Sequence, residues 1–143
     1  MDSHQPKIVV VDDDIFDREQ LTRSLQETGL TNPVCIACDG VEAMSILRGT
    51  EELEPLRPPY IILLDWNMPR MNGLEFLIEL RNDPDLNRAV VFVLTTSDED
   101  SDRLAAYDHQ VAGYIVKGDG SRDFSDIAHL LGGFCQTVSL PDR

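Results

Sequence analysis

The sequence predicts an α/β protein with a doubly wound, five-stranded parallel sheet, and three observations point there. Short apolar runs alternate with helical stretches five times along the 143 residues. The runs are β-branched and nearly continuous, as expected of strands buried on both faces of a parallel sheet. Each strand is followed by a segment able to serve as the right-handed crossover that parallel pairing requires.

The first strand is read at 8–11, all isoleucine and valine. A helix over 15–28 follows, with Leu21 and Leu25 one turn apart, and it stops at Gly29, a residue suited to the position after a helix end. Residues 34–37 form the second strand, and 41–48 a helix presenting Val41, Met44 and Leu47. The connector 49–59 holds three prolines and three glutamates, so it reads as a surface loop ahead of the third strand, 60–64. The third helix, 74–81, presents Leu74, Leu77 and Ile78 and ends at Asn82-Asp83-Pro84, because the residue before a proline avoids the helical region. A strand at 90–94 leads to a short polar helix at 100–109, then to the last strand at 113–116. Phe124, Ile127, Ala128 and Leu131 fall at i, i+3, i+4 and i+7, the apolar stripe of a final amphipathic helix.

Size and charge narrow the function. A chain near 150 residues buries roughly 70% of its unfolded surface and needs no disulfide staples. One domain is expected over 1–143, with no repeat, low-complexity tract or second module. Twelve basic residues stand against 26 acidic ones, a net charge of −14. Such a surface repels phosphate backbones and anionic lipid, so neither direct DNA binding nor membrane attachment is expected. No apolar run approaches the ~18 residues of a membrane span. The first six residues lack a signal-peptide plan, so a cytoplasmic protein is expected. Cys35 and Cys38 form a C-x-x-C, but inside a strand rather than at a helix start. They and Cys135 therefore read as buried, inert thiols.

Ligands of open parallel sheets bind outside the carboxyl ends of the strands. There the sequence puts Asp12, Asp13 and Asp14, then Asp65, Trp66 and Asn67, then Thr95, Thr96 and Ser97, and finally Lys117. Were the first and third strands neighbours, Asp12, Asp13 and Asp65 would converge. Carboxylates ~4 Å apart repel by about 4 kcal/mol per pair at an effective dielectric near 20. Either some are protonated or a divalent cation sits among them, and an all-oxygen donor set suits Mg²⁺. Lys117, one of two lysines with Lys7, is placed to hold an anionic oxygen, and Thr95 offers a hydroxyl. Together these are the parts for phosphoryl transfer. The acids of 12–17 and 98–102 lack the glycine and distal glutamate of a calcium-binding loop.

Four pieces carry a resemblance: Val10-Val11-Asp12-Asp13-Asp14, Leu63-Leu64-Asp65-Trp66-Asn67-Met68-Pro69-Arg70-Met71-Asn72-Gly73, Val93-Leu94-Thr95-Thr96-Ser97 and Gly113-Tyr114-Ile115-Val116-Lys117. In order and spacing the chain resembles the receiver domains of two-component response regulators over a core of about 7–137, leaving 138–143 as a tail. The resemblance implies a flavodoxin-like (βα)5 fold with strand order 2-1-3-4-5. It implies that Asp65 is the phosphoacceptor, charged by a sensor histidine kinase. Asp12, Asp13, Asp65 and Asn67 would be the Mg²⁺ ligands, Asn67 through its carbonyl. Thr95 and Lys117 would contact the phosphoryl oxygens. Such a protein is not an enzyme on a separate substrate, but catalyses its own phosphotransfer and dephosphorylation. Tyr114 falls on the family's switch aromatic, its alternative being an ordinary edge-strand side chain.

Gly118 stands where the family usually has proline, so a trans Lys117–Gly118 peptide is expected. That departure, the 49–59 connector and the tail Phe134-Cys135-Gln136-Thr137-Val138-Ser139-Leu140-Pro141 are similar to the stand-alone regulators paired with phytochrome-type kinases. Output would pass from the fourth helix, Tyr114 and the last helix to a downstream protein, a phosphotransfer protein or a second copy. Phe134, Val138 and Leu140 would supply a homodimer contact or dock on their own domain. Two other readings compete. An aspartate-nucleophile phosphatase of haloacid dehalogenase type would use Asp12 as nucleophile, but Phe16 and the lack of an acidic pair beyond Lys117 at a strand end oppose it. An interaction module that is never phosphorylated is opposed by the complete set of acids, Thr95 and Lys117.

Overall fold

Strands and helices alternate as the apolar pattern predicts. In the computed structural model, which describes residues 5–117 and 124–142, the order is β1 (Lys7–Val11), α1 (Ile15–Glu27), β2 (Val34–Ala37), α2 (Gly40–Arg48), β3 (Tyr60–Leu64), α3 (Gly73–Asn82), β4 (Val90–Thr95), α4 (Asp100–Asp108), β5 (Gly113–Val116) and α5 (Ser125–Thr137). All pairings are parallel, and the strand order is β2-β1-β3-β4-β5.

The period-two geometry of a strand divides the core into two layers. Val9, Val11, Ile62, Leu64, Val91 and Val93 face α2 and α3, meeting Met44, Leu47, Phe76 and Leu80. Ile8, Val10, Ile61, Leu63, Phe92 and Leu94 point the other way, onto Leu21 and Leu25 of α1 and Ile127 and Leu131 of α5. Gly29 takes φ +84° just after α1, the left-handed geometry its position requires.

Several expectations need correction. Burial on both faces holds for β1, β3 and β4, whereas β2 and β5 are edges, and Ile36 on β2 is exposed. In α2, Val41 faces solvent and Ala43 takes its place in the core. In α3, Ile78 is exposed while Phe76, Leu77 and Leu80 are buried. This helix is apolar around more than one side, so spacing alone does not select its buried face. Cys38 is not buried: it lies one residue beyond the edge strand, exposed, with an Arg18 Nη1 donor 2.9 Å from its Sγ. Cys35 and Cys135 are partly buried, each against a core layer.

The 49–59 connector is largely exposed. At the other end, Phe134 stacks edge-on to Phe92 at 5.1 Å and Leu140 packs on the same layer, so both dock on their own domain, while Val138 stays exposed. The expected trans peptide at Lys117–Gly118 lies outside the described residues.

Candidate phosphoacceptor and cation site

The register of the sheet brings the polar strand ends together. Val11 pairs with Leu64, Leu64 with Val93, and Thr95 with Val116, so Asp12, Asp65 and Lys117 each follow directly at one edge, where Thr95 closes β4 two residues past Val93. Backbone bonds carry the ladder one step further: the Asp12 N–H donates to the Ala37 carbonyl at 3.0 Å, Asp65 N–H to Val11 at 2.9 Å, and Lys117 N–H to Thr95 at 2.7 Å. The functional side chains are thereby mounted on the sheet rather than on free loops.

Asp12, Asp13 and Asp65 each bring a carboxylate oxygen within 4.8 Å of the other two. Asp12 is buried and both its oxygens are engaged. Oδ1 accepts the Asp14 N–H at 2.9 Å, and Oδ2 accepts from Lys117 Nζ at 3.0 Å. Asp13 is exposed, open toward solvent and an incoming cation. Asp65 is half-buried, and the Trp66 N–H donates to its Oδ1 at 2.8 Å. Burial pushes the Asp65 carboxyl up to about 6; Lys117 pulls it down, Asp12 pushes it up, and the Trp66 and Asn67 N–H groups pull it down. The chain turns back tightly behind it. The Gly73 N–H donates to the Trp66 carbonyl, and a Cβ on Gly73 would come within 2.8 Å of the Asp65 carbonyl oxygen.

Lys117 is buried and makes a second bond that the sequence did not reveal, to Asp17 Oδ2 at 2.7 Å. Burial alone pulls the ammonium down, but the Asp17 bond and the Asp65 and Asp12 charges outweigh it and hold the group above its ordinary value. Asp17 lies on the first turn of α1, four residues past Asp13. Its reach to Lys117 comes from the way α1 lies across the strand ends, and the sequence carries no local signal of it. A second missed pair is Arg70 with buried Asp39, at 2.6 Å. Arg70 sits at φ +65° and ties the loop after β3 to the start of α2, where Asp39 is also the cap.

A cavity of about 500 Å³ opens beside the acids, lined by Asp13, Asp17, Asp65, Asn67, Thr96 and Lys117 among others. Thr95 itself is fully buried, its Oγ1 accepting the Ser97 N–H at 3.3 Å, so its neighbour Thr96 forms the wall. Tyr114 is half-buried: its hydroxyl donates to the Ser97 carbonyl at 2.8 Å, its ring meets Trp66 edge-on at 6.4 Å, and the Arg103 guanidinium lies 5.5 Å from its centroid. Ser97 in turn donates its hydroxyl to Asp102 of α4. Of the residues singled out in the sequence, Asp12, Asp13, Asp65, Asn67 and Lys117 share one site. Thr95 and Tyr114 sit behind it, linked through Ser97.

Comparison with known proteins agrees with this geometry. The profile of the response regulator receiver domain matches residues 8–128. Response regulator Rcp1 of Synechocystis sp. is 34% identical over 145 residues, spanning 98% of this chain and 97% of that protein. The crystal structure of the Mn²⁺-bound form of Rcp1 superposes with a TM-score of 0.85 at 34% identity, covering 95% of this chain and 99% of that one. That of the phosphorylated cyanobacterial phytochrome response regulator RcpA gives 0.86 at 33% identity, with 96% and 99% covered.

Proposed function

Because this chain belongs to the response regulator receiver domain family, we propose that it accepts a phosphoryl group from a histidine kinase on Asp65, with Mg²⁺ as the assisting cation. The observation that carries this reading is three carboxylates and a buried ammonium meeting at one edge of the sheet. The likeness to RcpA and Rcp1 makes a phytochrome-type kinase the partner of choice.

The donor set fits a hard divalent cation, since every group offered is an oxygen. Asp12, Asp13 and Asp65 would hold it, with the Asn67 carbonyl beside them. When bound, such a cation supplies positive charge against the phosphoryl oxygens. The chain's own groups do the rest. A carboxylate oxygen of Asp65 forms the new bond to phosphorus. The P–N bond to the kinase histidine breaks, and its electron pair stays on the imidazole. The Trp66 and Asn67 N–H groups hold the Asp65 carboxylate in place. Lys117 meets the developing negative charge, and the Thr95 hydroxyl joins it once released from the Ser97 N–H. Because Ser97 also holds Tyr114 and Asp102, a shift of Thr95 reaches β5 and α4 directly. The protein thus promotes its own phosphorylation and hydrolysis and signals through the α4–β5–α5 face to a downstream protein.

The phosphatase reading fares worse because its nucleophile, Asp12, has one oxygen on Lys117 and the other on the Asp14 N–H. Trp66, buried beside Asp65, is the natural reporter. Its emission is followed while Mg²⁺ and then beryllofluoride, a phosphoryl mimic, are added. Two saturable steps in the wild type and loss of the second in Asp65→Ala are expected. A mimic step retained in Asp65→Ala but lost in Asp12→Ala would transfer the role to Asp12, and no mimic step in any variant would leave an unphosphorylated interaction module.

A further inference from the structure

Three carboxylates surround one buried ammonium, yet Lys117 hydrogen-bonds only two of them, Asp12 at 3.0 Å and Asp17 at 2.7 Å. Asp65 feels the ammonium through space alone. The two bonded partners are unlike. The Asp12 side chain is 7% exposed and fixed by the Asp14 N–H, whereas the Asp17 side chain is 31% exposed and stands on the first turn of a helix. If Lys117 left it, Asp17 would regain water, and its charge would remain favourable at a helix N-terminus. Asp12 has neither compensation. The pair that opens at least cost is therefore Lys117 with Asp17.

We propose that Asp17 is a positioning residue that holds Lys117 in reserve on α1, so that capture of a phosphoryl group at Asp65 draws the ammonium away from it. The inference rests on Asp65 being the phosphoacceptor. Asp17 and Asp65 line the same cavity. A phosphoryl group arriving there brings nearly two negative charges. It both competes for the ammonium and repels the Asp17 carboxylate. Asp17 thus sets a threshold for charging the site, and release of its pair frees the first turn of α1 as the phosphoryl group is bound.

The test is the affinity for beryllofluoride in saturating Mg²⁺, read by Trp66 emission, in the wild type, Asp17→Asn, Asp17→Glu and Glu19→Gln. Losing a half-exposed charged bond and one like charge is expected to tighten the mimic about 3- to 10-fold in Asp17→Asn. Asp17→Glu, which keeps the charge, should remain near the wild type. So should Glu19→Gln, which removes an exposed charge of the same helix with no bond to Lys117. In the metal-free protein, the side-chain ammonium resonance of Lys117 should move in Asp17→Asn and not in Glu19→Gln. Unchanged or weaker mimic binding in Asp17→Asn would overturn the proposal, as would equal tightening in Glu19→Gln, which would make the effect one of net charge. A wild type that ignores the mimic would refute the phosphoacceptor reading instead, so the two failures are distinct.

Discussion

At the scale of single residues, the Asp65 carboxyl stands up at about 6, chiefly because it is buried. In the unfolded chain an aspartate titrates near 4, so between the two values the folded state binds the extra proton. The contribution of Asp65 to stability therefore falls as pH rises through that window, and above about 6 its full cost is present. Asp65→Asn should accordingly make the metal-free protein about 1–2 kcal/mol more stable at pH 7, after allowance for solvent screening, and leave it unchanged at pH 4. Urea unfolding at both pH values reads this; an equal gain at both would mean that the charge is not its source. The acids at the strand ends were legible in the sequence because each directly follows an apolar run. Asp17 was not: on a helix its reach depends on how α1 crosses the sheet, which no local pattern encodes. The buried hydroxyl of Thr95 was equally hidden, since sequence cannot say whether a strand-end side chain faces the cavity or the core.

At the scale of elements, α3 carries its own start signal. The Asn72 side chain accepts the Glu75 N–H, and the Glu75 side chain accepts the Asn72 N–H, a reciprocal cap at the end of the loop that holds Asp65, Trp66 and Asn67. Asn72→Ala should cost about 1 kcal/mol in thermal or urea unfolding, and amide exchange should rise first in the first turn of α3. Uniform exchange across the helix would show that tertiary packing, not the cap, anchors that end. Periodicity found every strand and helix here, because parallel strands and crossover helices have different repeats. It misjudged the faces of α2 and α3. Val41 and Ile78 are as apolar as their buried neighbours, and what selects Ala43, Phe76 and Leu80 is the angle at which each helix lies on the sheet. The expectation of buried thiols failed at Cys38 for a related reason. β2 is an edge strand, a position that the strand order implied by the resemblance gives but that the local apolar pattern around the cysteines does not.

At the scale of the molecule, the chain carries a net charge of −14, and three of its 26 acidic residues converge where the sheet ends. Mg²⁺ at a hundred times its dissociation constant should add about 2.7 kcal/mol to the unfolding free energy. Asp13→Ala should lose most of that gain. NaCl at matched ionic strength should add less to both proteins, since it only screens the general repulsion. Equal gains from the two salts would mean that no specific cation site forms. The pair joining Lys117 to Asp12 spans 105 positions of the chain. During synthesis the first carboxylates emerge long before the ammonium that completes the site, and β3 and β4 must already be in place between them. The complete group of acids and ammonium therefore exists only in a chain whose strands β1, β3, β4 and β5 have all been assembled. The site is thus a record of completed topology: it is present when the last strand has joined the sheet and absent before.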